Sequence, residues 1–145
     1  MMTLWQPNAT ASKLKKRAEC LAQIRQFFAE RDVLEVETPL LSQATVTDVQ
    51  LHSIQVGLSG QKMYLQTSPE FAMKRLLAAG FGSIYQVCKS FRQDEQGRYH
   101  NPEFTMLEWY RIGFSHIELM AEMDELFAVD IKMWQSRIFK LSNGF

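Results

Sequence analysis

Two late apolar stretches constrain this chain more than anything else in it. Ser83 to Phe91 and Glu103 to Arg111 each read as a strand, and only the polar run Arg92-Gln-Asp-Glu-Gln-Gly-Arg-Tyr-His-Asn-Pro102 separates them. A parallel pair needs a crossover element, which a short polar run does not supply, so a long-looped antiparallel hairpin fits best. Alternation then puts Phe104, Met106, Glu108 and Tyr110 on one face, a carboxylate and a phenol beside an aromatic ring and a thioether. A negative charge on an otherwise apolar face requires a cationic partner. Arg92 or Lys89 could supply it structurally, or a ligand ammonium could supply it from outside; the pattern alone leaves both open.

Other elements follow from local signals. Leu14, Ala18, Leu21, Ile24 and Phe28 recur at helical spacing, which predicts an amphipathic helix over Ser12 to Arg31 with Ser12 as N-cap. Val33 to Thr38 alternates as a short strand, and Pro39 ends its pairing. Leu51 to Val56 and Lys62 to Gln66 form a hairpin joined across Gly57 to Gly60. Ser68-Pro69-Glu70 opens a helix with a capping hydroxyl, a proline and a first-turn acid, and Gly80 closes it. Ser115-His-Ile-Glu118 is a capping box for a helix to about Phe127, with Phe114 and Leu119 as a staple. The sum is an α+β fold, an antiparallel sheet flanked by helices, in one domain over 1–145.

Composition excludes several classes. The 145 residues are 46% hydrophobic and 22% charged, a globular and not a disordered balance. With 16 basic against 16 acidic side chains there is no basic surplus for gripping nucleic acid or anionic membrane. The cluster Lys13, Lys15, Lys16 and Arg17 reads as a solvated face. Cys20 and Cys88 lie far apart, without a CxxC and away from His52, His100 and His116. That pattern reads as free thiols in a reducing compartment, with no structural metal. No run approaches the length of a membrane span, so a cytoplasmic protein is expected.

Chemistry concentrates in the polar run, which carries Arg92, Asp94, Glu95, Arg98, His100 and Asn101 between rigid strands. Guanidinium groups there match phosphate oxygens; the competing reading is a solvated tip of mutually paired charges. Glu70, taken alone, is a favourable charge at a helix start. Gly80-Phe-Gly82 is too short and misplaced for a phosphate loop, and no Ser/His/Asp arrangement stands out.

Longer stretches carry a resemblance. Phe27-Phe-Ala-Glu-Arg-Asp-Val-Leu-Glu-Val-Glu-Thr-Pro39 resembles the first signature of class II aminoacyl-tRNA synthetases, a helix, a strand and a proline near the dimer interface. Phe91-Arg-Gln-Asp-Glu95 with Arg98-Tyr-His-Asn-Pro-Glu-Phe-Thr-Met-Leu-Glu-Trp-Tyr110 resembles the second signature in its lysine-specific form. Within that group the chain, from about Trp5 to Phe127, is most similar to paralogues that attach (R)-β-lysine to a lysine of translation elongation factor P.

The resemblance implies a ligand on the acidic strand face. Arg92 would meet the α-phosphate of ATP and stabilise charge as the substrate carboxylate attacks. Phe104 would stack on adenine, while Asn101 with His100 or Arg98 and Asp94 hold the nucleotide. Asp94 stands where the family carries a longer Glu. Glu70, in Ser68-Pro69-Glu70, would take the amino-acid ammonium, and Glu108 with Tyr110 the side-chain amine of lysine or (R)-β-lysine. The implied cofactors are ATP and Mg2+, whose acidic ligands are not found in this chain. The implied partners are elongation factor P and a second copy in a homodimer; a tRNA is disfavoured because nothing resembles an anticodon-binding barrel.

The third signature, with its glycine-rich strand and arginine, is also not found, and Lys140-Leu-Ser-Asn-Gly-Phe145 faintly echoes a later family segment. The expectation is thus a partial catalytic domain: a lysine-activating ligase impaired by truncation, or alternatively a non-catalytic module for dimerisation or ligand binding. True tRNA charging ranks last.

Overall fold

The computed structural model describes residues 5–93, 97–98 and 100–142, with side chains to residue 129. The chain divides into two compact units, Met1–Asp32 with Gly113–Phe145, and Val33–Ile112.

The first unit is helical. α1 spans Ala11–Ala29 and is capped by Thr10, whose hydroxyl accepts from the Lys13 N–H at 3.4 Å. The cap therefore falls earlier than Ser12, whose own hydroxyl contacts Thr10. Burial grows along α1, from Leu14, 53% exposed, to Phe27 and Phe28, which are buried and meet edge to face. α3 spans His116–Ser142, well past Phe127. Its start is the expected capping box: the Ser115 N–H donates to Glu118 Oε2 at 2.7 Å, and Ser115 Oγ accepts from the Glu118 N–H at 3.4 Å. Phe114 remains 40% exposed. Arg31, at the end of α1, joins the two helices through Glu125 at 2.8 Å and buried Glu122 at 4.0 Å.

The second unit carries two three-stranded sheets. β1 (Leu34–Glu35), β5 (Ile84–Phe91) and β6 (Glu103–Tyr110) form one in the order β1-β5-β6. β5 and β6 are antiparallel over eight register pairs, from Ile84 opposite Tyr110 to Phe91 opposite Glu103. β1 instead runs parallel to β5, so this sheet is mixed, and β1 is shorter than the alternating stretch suggested. The other sheet is antiparallel, order β2-β4-β3, from β2 (Leu41–Ser42), β3 (Gln55–Leu58) and β4 (Gln61–Leu65). β2 has no signal in a two-residue strand just past Pro39. The β3–β4 turn is tighter than Gly57 to Gly60: Gly57 pairs with Lys62, and Ser59-Gly60 turn with φ of 50° and 79°. Two successive positive φ values suit a right-twisted hairpin and favour glycine.

α2 (Glu70–Ala78) lies between the sheets in the chain. Pro69 occupies its cap position, and Ser68 Oγ accepts from the Glu70 N–H at 3.4 Å. Gly80, at φ 83°, ends it as expected. The core of this unit holds Met73, Ile84, Tyr85 and Pro69, together with buried polar Thr38, Thr67, Gln86 and Ser90. Gln66 ties the two sheets: its N–H donates to Leu40 O, its carbonyl accepts from the Phe91 N–H, and its Nε2 donates to Lys89 O at 2.8 Å.

Candidate functional site

The β5–β6 register fixes what shares a face. Ile84, Gln86, Cys88 and Ser90 on β5 stand opposite Tyr110, Glu108, Met106 and Phe104 on β6. The face is thus more polar than β6 alone suggested. Lys89, one of the structural cations considered for Glu108, lies on the opposite face and pairs with Glu103 at 2.8 Å. Arg92, the other, sits just beyond β5 with its guanidinium carbon 5.1 Å from the Phe104 ring centroid, within cation–π range.

Glu108 is served differently. The Tyr110 hydroxyl donates to Glu108 Oε1 at 2.6 Å, and Lys74 on α2 is the cation whose field reaches it. Burial raises the Glu108 carboxyl above the ordinary carboxylate value; the Tyr110 bond pulls it down, the Glu70 charge pushes it up, and Lys74 pulls it down again. Tyr110 is raised strongly, first by burial and then by its bond to Glu108, so the phenol stays protonated. Glu108 therefore feels the charge of Glu70. Glu70 itself is held by Lys74, Nζ to Oε1 2.5 Å, one helical turn on.

Ser68 and Glu70 also line a cavity of about 220 Å³. Ser42, Thr45, Ser53, Thr67 and Ser68 line it with Glu70 and Arg75, whereas Glu108, Tyr110, Arg92 and Phe104 are not among its walls. Glu70 thus lines the cavity and also acts on Glu108 through its charge. Pro69 is fully buried at the cap position of α2.

The rest of the expected nucleotide set is scattered along one loop. Arg92 is half-buried and its N–H donates to Pro102 O. Arg98, His100 and Asn101 are exposed beside an isolated bridge between Gly97 and His100. Asp94 and Glu95 lie outside the described residues. Sequence reasoning missed Lys74, Gln86 and Cys88; the i,i+4 spacing to Glu70 and the strand register were the signals that could have found them. Cys20 and Cys88 form no disulfide, and burial raises Cys88. Among the described residues no group of three or more His, Cys, Asp or Glu is placed to hold a metal ion. Nor, among them, is any helix long and apolar enough to cross a membrane.

A profile of the family described as tRNA synthetases class II (D, K and N) matches residues 1–142. The chain belongs to that family. Curated relatives of this class II protein carry the name elongation factor P--(R)-beta-lysine ligase. The one from Vibrio atlanticus (strain LGP32) is 62% identical over 132 residues, covering 87% of this chain and 41% of the relative. That from Edwardsiella ictaluri (strain 93-146) is 58% identical over 131 residues, 86% of this chain and 40% of the relative. That from Pseudoalteromonas translucida (strain TAC 125) is 53% identical over 150 residues, 99% of this chain and 46% of the relative. The chain spans less than half the length of the relatives it matches.

Proposed function

We propose that this chain is the part of an ATP-dependent ligase that activates lysine or (R)-β-lysine and delivers the acyl group to a lysine of elongation factor P. The observation that carries the reading is the Tyr110–Glu108 pair on one strand, 2.6 Å apart, which feels the charge of Glu70 at a helix start. Two acids and a phenol suit a ligand with two ammonium groups, since each desolvated cation needs an anion or acceptor. The names of relatives 53–62% identical support the same chemistry.

In this reading the substrate carboxylate attacks the α-phosphorus of ATP, the bond to pyrophosphate breaks, and an aminoacyl-adenylate forms. Arg92 stabilises the charge that develops on the α-phosphate. Phe104, already bearing Arg92 near its ring, stacks on adenine, and Asn101 with His100, Arg98 and Asp94 holds the nucleotide. Glu70 takes one ammonium, with Ser68 and Pro69 fixing its helix, and Glu108 with Tyr110 takes the other. The protein works in the cytoplasm, as a homodimer, and 1–145 forms the first part of the catalytic domain.

A second reading is a ligand-binding or dimerisation module without turnover. Lysine-dependent exchange of pyrophosphate into ATP separates the two. Exchange above background that disappears in Arg92→Ala supports the ligase; a folded chain that binds lysine without exchange supports the module. Acylation of elongation factor P but not of tRNA is expected, and the reverse would refute the choice of acceptor.

A further inference from the structure

The β5–β6 register orders the acidic face into rows: Ile84 with Tyr110, Gln86 with Glu108, Cys88 with Met106, and Ser90 with Phe104. Exposure along β5 is uneven. Ile84 and Ser90 are 0% exposed and Gln86 is 1% exposed, so of these β5 residues only Cys88 is open to anything that arrives on the face. A ligand amine at Glu108 and Tyr110 therefore finds one β5 side chain to meet, and it stands in the next row. An antiparallel strand rises roughly 3.4 Å per residue, which puts the Met106 row about 7 Å from Glu108 and the Phe104 row about 14 Å from it. The methylenes of a lysine-type ligand thus pass over the middle row before its carboxylate meets a nucleotide stacked on Phe104.

The surroundings hold the sulfur there as an uncharged thiol. Gln66 Nε2 donates to Cys88 Sγ at 3.3 Å. Gln86, whose Nε2 has no hydrogen-bond partner, bears on the same sulfur from within the strand. Burial raises the thiol above its ordinary value, Ser90 and Gln66 lower it, and the nearby Glu108 charge raises it again, so it stays protonated at neutral pH. On the facing strand, Met106 Sδ accepts from the Ser90 hydroxyl at 3.9 Å, which draws the thioether towards the Phe104 row. A neutral thiol behaves as a small, polarisable hydrophobe. It suits methylenes and offers an ammonium group nothing.

We propose that Cys88 is a specificity-determining residue of this site: its thiol is the β5 contact for the methylene stem of the diamino acid and sets how broad that stem can be. The proposal rests on the assignment of Glu108 to the ligand amine. A side chain of this size leaves room for an unbranched stem, and a larger one in its place closes the passage between the amine end and the nucleotide end.

Iodoacetamide labelling of the whole 145-residue chain at mildly alkaline pH, read at each cysteine by peptide mass spectrometry, tests the contact. Cys20, on α1, is the internal control. Saturating L-lysine should slow labelling of Cys88 several-fold and leave Cys20 unchanged. L-lysine that binds by calorimetry without slowing Cys88 overturns the proposal and leaves the Glu108 assignment standing, whereas no binding at all refutes that assignment and the proposal with it. Cys88→Leu should weaken L-lysine and norleucine alike, by about tenfold or more, because both carry the stem and only one carries the distal amine. A folded Cys88→Leu that binds both as wild type does, or that loses L-lysine alone, overturns the stem contact. Should Cys88→Leu not fold, the labelling of wild type decides.

Discussion

Glu108→Gln is the sharpest perturbation of the site, because it removes a charge and almost nothing else. The amide oxygen can still accept from the Tyr110 hydroxyl, which lies 2.6 Å from Oε1 in the native chain. Hydrogen bonds to charged groups contribute about 1.5–3 kcal/mol, and the half-buried setting of Glu108 places it at the lower end. L-lysine should therefore bind about ten- to thirtyfold more weakly, while norleucine, which lacks the distal amine, changes less than twofold. Calorimetric titration with both ligands reads the ratio. Since burial raises the Glu108 carboxyl, wild-type preference for lysine over norleucine should fade as pH drops from neutral towards that raised value, and Glu108→Gln should show no such dependence. Stability runs the other way. An acid whose folded value is raised contributes stability below its unfolded value, and that contribution is lost as pH rises through the folded one. Glu108→Gln should thus gain thermal stability over wild type at pH 7 and lose the advantage near pH 4. Equal losses for lysine and norleucine, or an unchanged ratio, would refute the reasoning.

Other perturbations test the scaffold. Arg31→Ala removes a cation 3.6 Å from the Phe27 ring centroid and the partner of Glu122, which is 5% exposed; about 2–4 kcal/mol should be lost in urea unfolding, against under about 1 kcal/mol for Glu125→Ala, whose carboxylate is exposed. Met73→Ala empties a fully buried position and should cost about 2–5 kcal/mol by the same measurement. Ser115→Ala should cost about 1 kcal/mol. The Ser115 backbone N–H and hydroxyl lower the Glu118 carboxyl, so the capping contribution is present above its unfolded value and is lost as pH falls through the folded one, which helicity against pH will show.

What the sequence made legible was whatever has a short-range signature. Strand alternation located β5 and β6 and put Glu108 and Tyr110 on one face; the Ser115 and Glu118 pair located the start of α3. Gly80, with its positive φ, marked the end of α2. Features that depend on a distant partner were hidden. β2 is two residues held by pairing with β4, and the parallel direction of β1 comes from its docking on β5. The burial gradient along α1 is likewise tertiary, since Leu14 and Phe28 occupy the same stripe and differ from 53% to 0% exposure. Within the site, alternation on β6 alone could name two candidate cations for Glu108 but not choose. Geometry assigns Lys89 to Glu103 and brings Lys74 in from a helix.

That lysine leads to the last test. Lys74 places on Glu70 the same chemical group that a lysine ligand would bring there, an ammonium on a flexible stem. As an i,i+4 pair on an exposed helix face it is worth about 0.3–0.5 kcal/mol, little enough for a ligand to displace. A lysine-type substrate carries two ammonium groups, and once its carboxylate is joined to phosphate as a mixed anhydride the carboxylate charge that balanced one of them is gone. Glu70 and Glu108 can neutralise both only if Lys74 withdraws. Lys74→Met should therefore bind L-lysine several-fold more tightly, measured at pH 8 so that Glu108 stays ionised without the help of Lys74. The gain should shrink at high salt, where competition between charges is screened. If Lys74→Met instead loses a few tenths of a kcal/mol of stability and leaves lysine affinity untouched, Glu70 is a helix-start charge and nothing more, and the ligand amine assigned to it must be held elsewhere.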